Sequence, residues 1–178
     1  MAQAKRKKKF FDVEMPIIKK ETQAQAYEIK DLDGRLINYD LTRMLRGKNI
    51  VLQLKIKVDK EEATAIPRQI KLLSSFMRRA VRKGTNYIED SFSTNCKDAQ
   101  IRIKPSLITR RKVSRAIRKA LREKAREEIT NYVKDKTSEK LFEELLKNQF
   151  QKDLSLKLKK IYPLSLCEIR VLKVEKEL

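Results

Sequence analysis

The chain has 178 residues, a formal net charge of +20 and no histidine. The missing histidine excludes Ser–His and Cys–His catalysis, and three glycines cannot form a phosphate-binding Gly-rich loop. No apolar run approaches the roughly 20 residues of a membrane span, and two cysteines far apart predict reduced thiols without a metal site. We therefore expect a non-secreted protein with no catalytic residues, cofactor, metal or membrane partner.

The positive charge is concentrated in three stretches of the sequence. Lys104–Arg126 contains ten basic residues and one acid, Glu123. Lys5–Lys9 and Lys71–Lys83 each carry a net charge of +5. Since the rest of the chain is close to neutral, this pattern predicts a polyanionic partner.

The first part of the chain predicts a basic tail followed by short strands. Residues 1–12 form the tail, which we expect to be disordered alone, and residues 13–178 a single α+β domain. The Phe10-Phe11 pair either stacks on nucleic-acid bases or anchors the tail on the core. Ile50–Val58 alternates apolar and polar residues from Leu52 onward, which indicates a strand with one buried face. Asp33-Gly34 predicts a turn between two extended runs, one around Tyr27 and Ile29 and the other over residues 36–39.

The middle of the chain predicts a helix between strands. A strand over 63–71 contains Pro67, which favours an edge or a bulge. Residues 72–83 have apolar side chains at helical spacing and end at Gly84. Residues 87–96 and 99–108 predict a strand pair, with a bulge or edge at Pro105.

The remaining part predicts helices and one last strand. Ser114 is a candidate N-cap of a long helix with an apolar stripe and a separate basic stripe. Residues 139–161 predict further helix in one or two pieces, ended by Pro163. Residues 164–174 predict a final strand, and residues 175–178 a frayed end.

The basic stripe is interpreted as a binding surface because solvated helix faces normally mix charges of both signs. Lys and Arg neutralise phosphates and release counterions, and the arginine fork can bridge two phosphate oxygens. The candidate RNA-binding residues are Lys5, Arg6, Lys7, Lys8, Lys9, Arg78, Arg79, Arg82, Lys83, Lys104, Arg110, Arg111, Lys112, Arg115, Arg118, Lys119 and Arg122.

Several motifs in the same order resemble a known family. These are KKKFFD at 7–12, GRLINYDL at 34–41, FMRRAVRKGTNYIEDSF at 76–92, IRIKP at 101–105, TRR at 109–111, AIRK at 116–119, and KIYPL with EIR near the C-terminus. Together they are similar to the archaeal and eukaryotic small-subunit ribosomal protein family called S-one-e or S-three-a-e.

The resemblance implies a non-enzymatic constituent of the small ribosomal subunit in the cytoplasm. It implies an α+β fold, with a mixed, barrel-like sheet and about three helices. It also implies a place on the platform near the messenger exit. The implied partners are small-subunit ribosomal RNA, neighbouring ribosomal proteins and messenger RNA near the exit.

Two other functions are compatible with the composition. A DNA-compacting or transcription-associated protein would carry a similar charge, although basic residues in three segments suit an irregular RNA surface better than one recognition helix does. An RNA-processing enzyme would need a carboxylate cluster that holds metal ions, and none stands out.

Overall fold

A computed structural model describes residues 7–45, 47–60 and 62–177 of the chain. Both strands and helices are present in this part of the chain. The chain divides into two compact units. The first comprises Met1–Tyr39 and Leu52–Arg68, and the second Asp40–Val51 and Gln69–Leu178. The single domain over residues 13–178 stays a prediction.

The first unit is built from strands. They are β1 (Lys9–Met15), β2 (Lys20–Ala26), β3 (Leu36–Asp40), β4 (Ile50–Asp59) and β5 (Glu62–Leu72), with a short 3-10 helix at Ile29–Leu32. The end of β3, the start of β4 and the last four residues of β5 belong to the second unit. β1 and β2 form an antiparallel hairpin, and β1 meets β5 in parallel at Glu14 and Thr64. In β4, Leu52, Leu54 and Ile56 are buried, which confirms the predicted alternation.

The β1–β2 hairpin includes part of the predicted N-terminal tail, residues 1–12. Lys9 to Asp12, predicted to belong to the tail, lie in β1, while residues 1–6 lie outside the described residues. Phe10 is 63% exposed, so its ring is not an anchor in the core. The extended run predicted around Tyr27 and Ile29 is wrong, because β2 ends at Ala26 and the 3-10 helix follows.

The second unit is organised around a long central strand. Its strands are β6 (Tyr87–Glu89), β7 (Phe92–Asn95), β8 (Ala99–Thr109) and β9 (Leu164–Glu177). β8 pairs antiparallel with β6 and β7 on one edge and with β9 on the other. The register shifts at Lys104/Pro105, which confirms the predicted bulge. Residues 175–177, predicted to be frayed, continue β9 instead.

Four α-helices complete this unit within the described residues. They are α1 (Ser74–Ala80), α2 (Arg115–Lys134), α3 (Ser138–Leu146) and α4 (Gln149–Leu158). α2 buries Leu121, Ala125, Ile129 and Val133, one residue per turn. α1 is shorter than predicted because β5 pairs with β9 as far as Lys71 and the strand continues to Leu72.

These elements confirm the α+β class. β1 pairs in parallel with β5, whereas the other registers given above are antiparallel, so the strand pairing is mixed. The described pairings leave open edges, and the barrel-like closure stays a prediction. The third predicted helical stretch forms two pieces, with Asn148 in the left-handed region (φ 58°) between them.

The two cysteines are reduced thiols buried in the second unit. Cys96 and Cys167 are 6% and 9% exposed. Burial raises the pKa of the Cys167 thiol to about 12, and burial also raises the pKa of Cys96. Both thiols therefore stay protonated at pH 8.

We expect the native protein to resist alkylation. Iodoacetamide at pH 8 should label neither cysteine in buffer, because the reactive species is the thiolate. Both should be labelled in denaturant, where the burial is lost. Mass spectrometry of the intact protein checks this result, and rapid labelling of Cys167 in buffer would contradict it.

Candidate nucleic-acid interface

The first turn of α2 places cations at the positive end of a helix. Ser114 caps the helix, since its Oγ accepts a hydrogen bond from the Ile117 N–H at 3.4 Å. Arg115 and Arg118 follow in the first turn, which contains no acid. Cations here oppose the helix dipole, at a cost of about 0.3–1 kcal/mol each, whereas a bound anion would be stabilised.

Arg118 carries a further unsatisfied group. Its side-chain Nε is buried and has no hydrogen-bond partner among the described residues. A buried donor without an acceptor costs free energy, so such groups call for an explanation. A phosphate oxygen from a bound nucleic acid is an acceptor that suits a guanidinium.

The basic segment Arg110–Lys112 leads into α2, and a buried threonine and an asparagine hold it. Thr109 is fully buried, and its hydroxyl donates to the Arg111 carbonyl at 2.7 Å. The same Oγ1 accepts from the Asn86 N–H at 2.9 Å. The Asn86 side chain in turn accepts from the Val113 N–H at 2.8 Å. The exposed side chains of Arg110–Lys112 therefore project from a fixed backbone.

The same contacts bring a second basic segment close. Arg82 and Lys83 are exposed and lie just before Asn86 in the chain. The Thr85 hydroxyl donates to the Arg82 carbonyl at 2.7 Å, and the Thr109 N–H donates to the Asn86 carbonyl at 3.0 Å. Two of the three basic stretches in the sequence are thus linked through the hydrogen bonds of Thr85 and Asn86.

Most cations of this region lack acidic partners. Nine of them have neither an acidic oxygen within 4.0 Å nor a side-chain hydrogen bond among the described residues. This set, which we call the free basic cluster, is Arg78, Arg82, Lys83, Arg110, Arg111, Lys112, Arg115, Arg118 and Arg122. Two predicted neighbours differ, since Arg79 donates to Asn49 Oδ1 at 2.8 Å and Lys119 lies 3.8 Å from Glu123.

The second half of α2 has a different role. Arg126 forms two hydrogen bonds with Asp90, at 2.9 and 3.0 Å, and lies 5.3 Å from the centre of the Phe92 ring. The hydrogen bonds that Arg126 donates to Asp90, together with the negative charge of Asp90, raise the pKa of Arg126. Lys124 pairs with Glu127 and Glu128. The basic stripe of the sequence therefore divides into a free first half and an internally neutralised second half.

The other predicted residues lie apart from this cluster in the chain. Lys104 is half-buried in β8, at the bulge before Pro105. Lys7, Lys8 and Lys9 are exposed in the first unit, with Lys8 Nζ 5.8 Å from the centre of the Tyr27 ring. Lys5 and Arg6 lie outside the described residues.

Sequence reasoning missed three residues that shape this surface. Asn86 fixes the backbone between the basic segments, while Tyr87 and Arg170 line a pocket beside α1 with Arg78. Asn86 and Tyr87 stand directly after the Gly84 turn, a position that could have drawn attention to them. Arg170 lies within the last strand, where no neighbouring turn or motif indicated a role in a pocket.

Two alternative kinds of site are absent from residues 7–45, 47–60 and 62–177. No group of three or more His, Cys, Asp or Glu side chains there could hold a metal ion. None of the helices in that part of the chain is long and apolar enough to cross a membrane.

An α+β chain whose described residues include nine cations without acidic partners is typical of proteins that bind a polyanion. The model of the Ribosomal S3Ae family matches residues 2–177. The chain therefore belongs to the Ribosomal S3Ae family of small-subunit ribosomal proteins. The comparison with curated protein sequences found no match.

This membership confirms the resemblance seen in the sequence motifs. It makes the protein a structural constituent of the small ribosomal subunit that acts in translation and binds ribosomal RNA. It implies association with other ribosomal proteins and a ribosome-bound, cytoplasmic location. Such families are typically non-enzymatic, and the absence of catalysis by this chain stays a prediction.

Proposed function

We propose that the free basic cluster is the main contact of this protein with small-subunit ribosomal RNA. The observation that supports this most directly is the contrast within α2. Arg115, Arg118 and Arg122 have no acidic partner among the described residues, whereas Lys124 and Arg126 are paired. Charges that are already neutralised release few counterions on binding, so the free half of the helix contributes most to affinity.

The cluster suits folded RNA in particular. Its residues come from α1, from the segment that follows α1, from the segment before α2 and from α2 itself, so phosphates of more than one RNA strand can be contacted together. Arginine dominates the set and can bind two phosphate oxygens or stack on an unpaired base. Arg79, Lys104 and Lys119 extend the same proposal, and Lys5–Lys9 thread between RNA helices.

The test is the salt dependence of RNA binding. Replacing Arg111, Arg115 and Arg118 with glutamine should reduce the slope of log K against log salt by about 2 units, because each lost phosphate contact removes roughly 0.7–0.9. The matched control replaces Arg102, Lys124 and Arg126, which removes the same charge from residues paired with acids. Filter binding to a folded small-subunit RNA fragment measures both.

The two triple variants separate specific contacts from net charge. An equal fall in slope for both would contradict the assignment, since it would mean that total charge alone controls binding. Competition with duplex DNA tests the second candidate function. Equal competition by DNA and folded RNA would favour a general nucleic-acid-binding protein.

The location on the subunit is part of the same proposal. We place the protein on the platform near the messenger exit, beside the 3′ end of the small-subunit RNA and neighbouring ribosomal proteins. The motifs at 76–92 and 101–111 support this through their likeness to the family. Crosslinking from Arg110 in assembled subunits tests it, because crosslinks to RNA of another region would overturn the location.

A further inference from the structure

A pocket beside α1 combines an aromatic ring with free arginine. Its volume is about 420 Å³, and it is lined by Ser74, Met77, Arg78, Val81, Tyr87 and Arg170. Tyr87 is 36% exposed and Val81 is 41% exposed. We propose that one unpaired nucleotide of the bound RNA inserts its base here and stacks on Tyr87. The proposal rests on the RNA-binding function of the neighbouring cluster.

The Tyr87 ring is held in place before any ligand arrives. Tyr87 lies in β6 opposite Ile108 of β8, and its hydroxyl is 3.0 Å from Oγ of the fully buried Ser106. A ring fixed at both its backbone and its hydroxyl loses little conformational freedom when a base stacks on it. Base–aromatic stacking is correspondingly effective and accepts any base.

Arg170 closes another side of the pocket. Its guanidinium is 2.5 Å from Glu89 Oε1, and the hydrogen bond that Arg170 donates to Tyr87, together with Glu89, raises the pKa of Arg170. This arginine is already neutralised by an acid, so it serves as a planar wall of the pocket rather than as a free phosphate contact. The apolar wall is supplied by Val81 and Met77.

Arg78 connects this pocket to the phosphate-binding surface. Its exposed side chain also lines a neighbouring depression of about 490 Å³ with Asn49, Ser75 and Arg79. Arg78 belongs to the free basic cluster and can neutralise the phosphate next to an inserted base. Exposed apolar atoms of Val81 and Tyr87 within a cationic surface suit a base, because a phosphate gains nothing from them.

The test compares two RNA hairpins that differ by one bulged nucleotide. Tyr87→Leu keeps an apolar side chain but removes the aromatic face. We expect its affinity for the bulged hairpin to fall about tenfold, the order of one lost stack, and its affinity for the fully paired hairpin to change less than twofold. The salt slope should equal that of the wild type, because no charge is removed.

Two further variants keep the result interpretable. Tyr87→Phe restores the ring and should recover most of the affinity of the bulged hairpin, whereas Tyr162→Leu makes the same change at the turn after α4 and should have no effect. Thermal unfolding verifies that each variant is folded. Equal losses on both hairpins, or no loss on either, would overturn the stacking proposal. If the wild type bound neither hairpin in a salt-dependent way, the proposed RNA-binding function would fail instead.

Discussion

Replacing Lys48 with methionine should lower the free energy of unfolding by about 3–5 kcal/mol, the usual cost of removing one partner of a buried ion pair. Lys48 Nζ lies 2.7 Å from Glu168 Oε1, and the two side chains are only 12% and 11% exposed. Lys48 Nζ also donates to Asn148 Oδ1 at 2.5 Å. The variant would leave the Glu168 carboxylate buried beside Gln151, without a neutralising charge.

A double-mutant cycle isolates the pair from simple packing effects. Lys48→Met combined with Glu168→Gln should recover part of the lost stability, because no buried charge then lacks a partner. We expect a coupling energy of roughly 1–3 kcal/mol from urea unfolding monitored by circular dichroism. If the two single changes simply add, the ion pair does not stabilise this part of the fold.

The pair of Lys48 and Glu168 illustrates which features could be predicted from the sequence and which could not. The strand Ile50–Val58 and the helix after Ser114 follow from apolar periodicity, which depends only on neighbouring residues. Nothing local indicates that Lys48 would meet Glu168, since that contact depends on how distant elements pack. For the same reason, the sequence could not separate Arg122, which has no acidic partner in the described part of the chain, from Arg126, which is paired with Asp90.

The sequence predicted which cations belong to the candidate interface, but not the hydrogen bonds that hold its segments together. Two of the three basic stretches contain all nine cations of the free basic cluster, and the predicted N-cap at Ser114 is confirmed. The helix at 72–83 was predicted too long because helical spacing of Leu72 and Leu73 competes with strand pairing next to β9. The hydrogen bonds that join Arg82–Lys83 to Arg110–Lys112 depend on Asn86 and Thr109, whose roles have no periodic signature.

Replacing Thr109 with valine should also have a large effect on stability, because it removes the hydrogen bonds of the Thr109 hydroxyl. The change keeps the shape of the buried side chain but removes its hydroxyl. The Asn86 N–H then loses its acceptor, and the Arg111 carbonyl loses its donor. We expect a loss of roughly 2–3 kcal/mol in the free energy of unfolding, since partly buried groups would lack partners.

The same variant should weaken RNA binding although it removes no charge. Loosening the backbone of Arg110–Lys112 means that these cations must be ordered when RNA binds, so affinity falls while the salt slope is kept. Thr130→Val is the matched control, because its hydroxyl donates only to the Arg126 carbonyl within α2 at 2.8 Å. Urea unfolding and RNA titration should leave that control near the wild type. Equal effects of the two valine variants would contradict a special role for Thr109 in holding the basic segment ready for RNA.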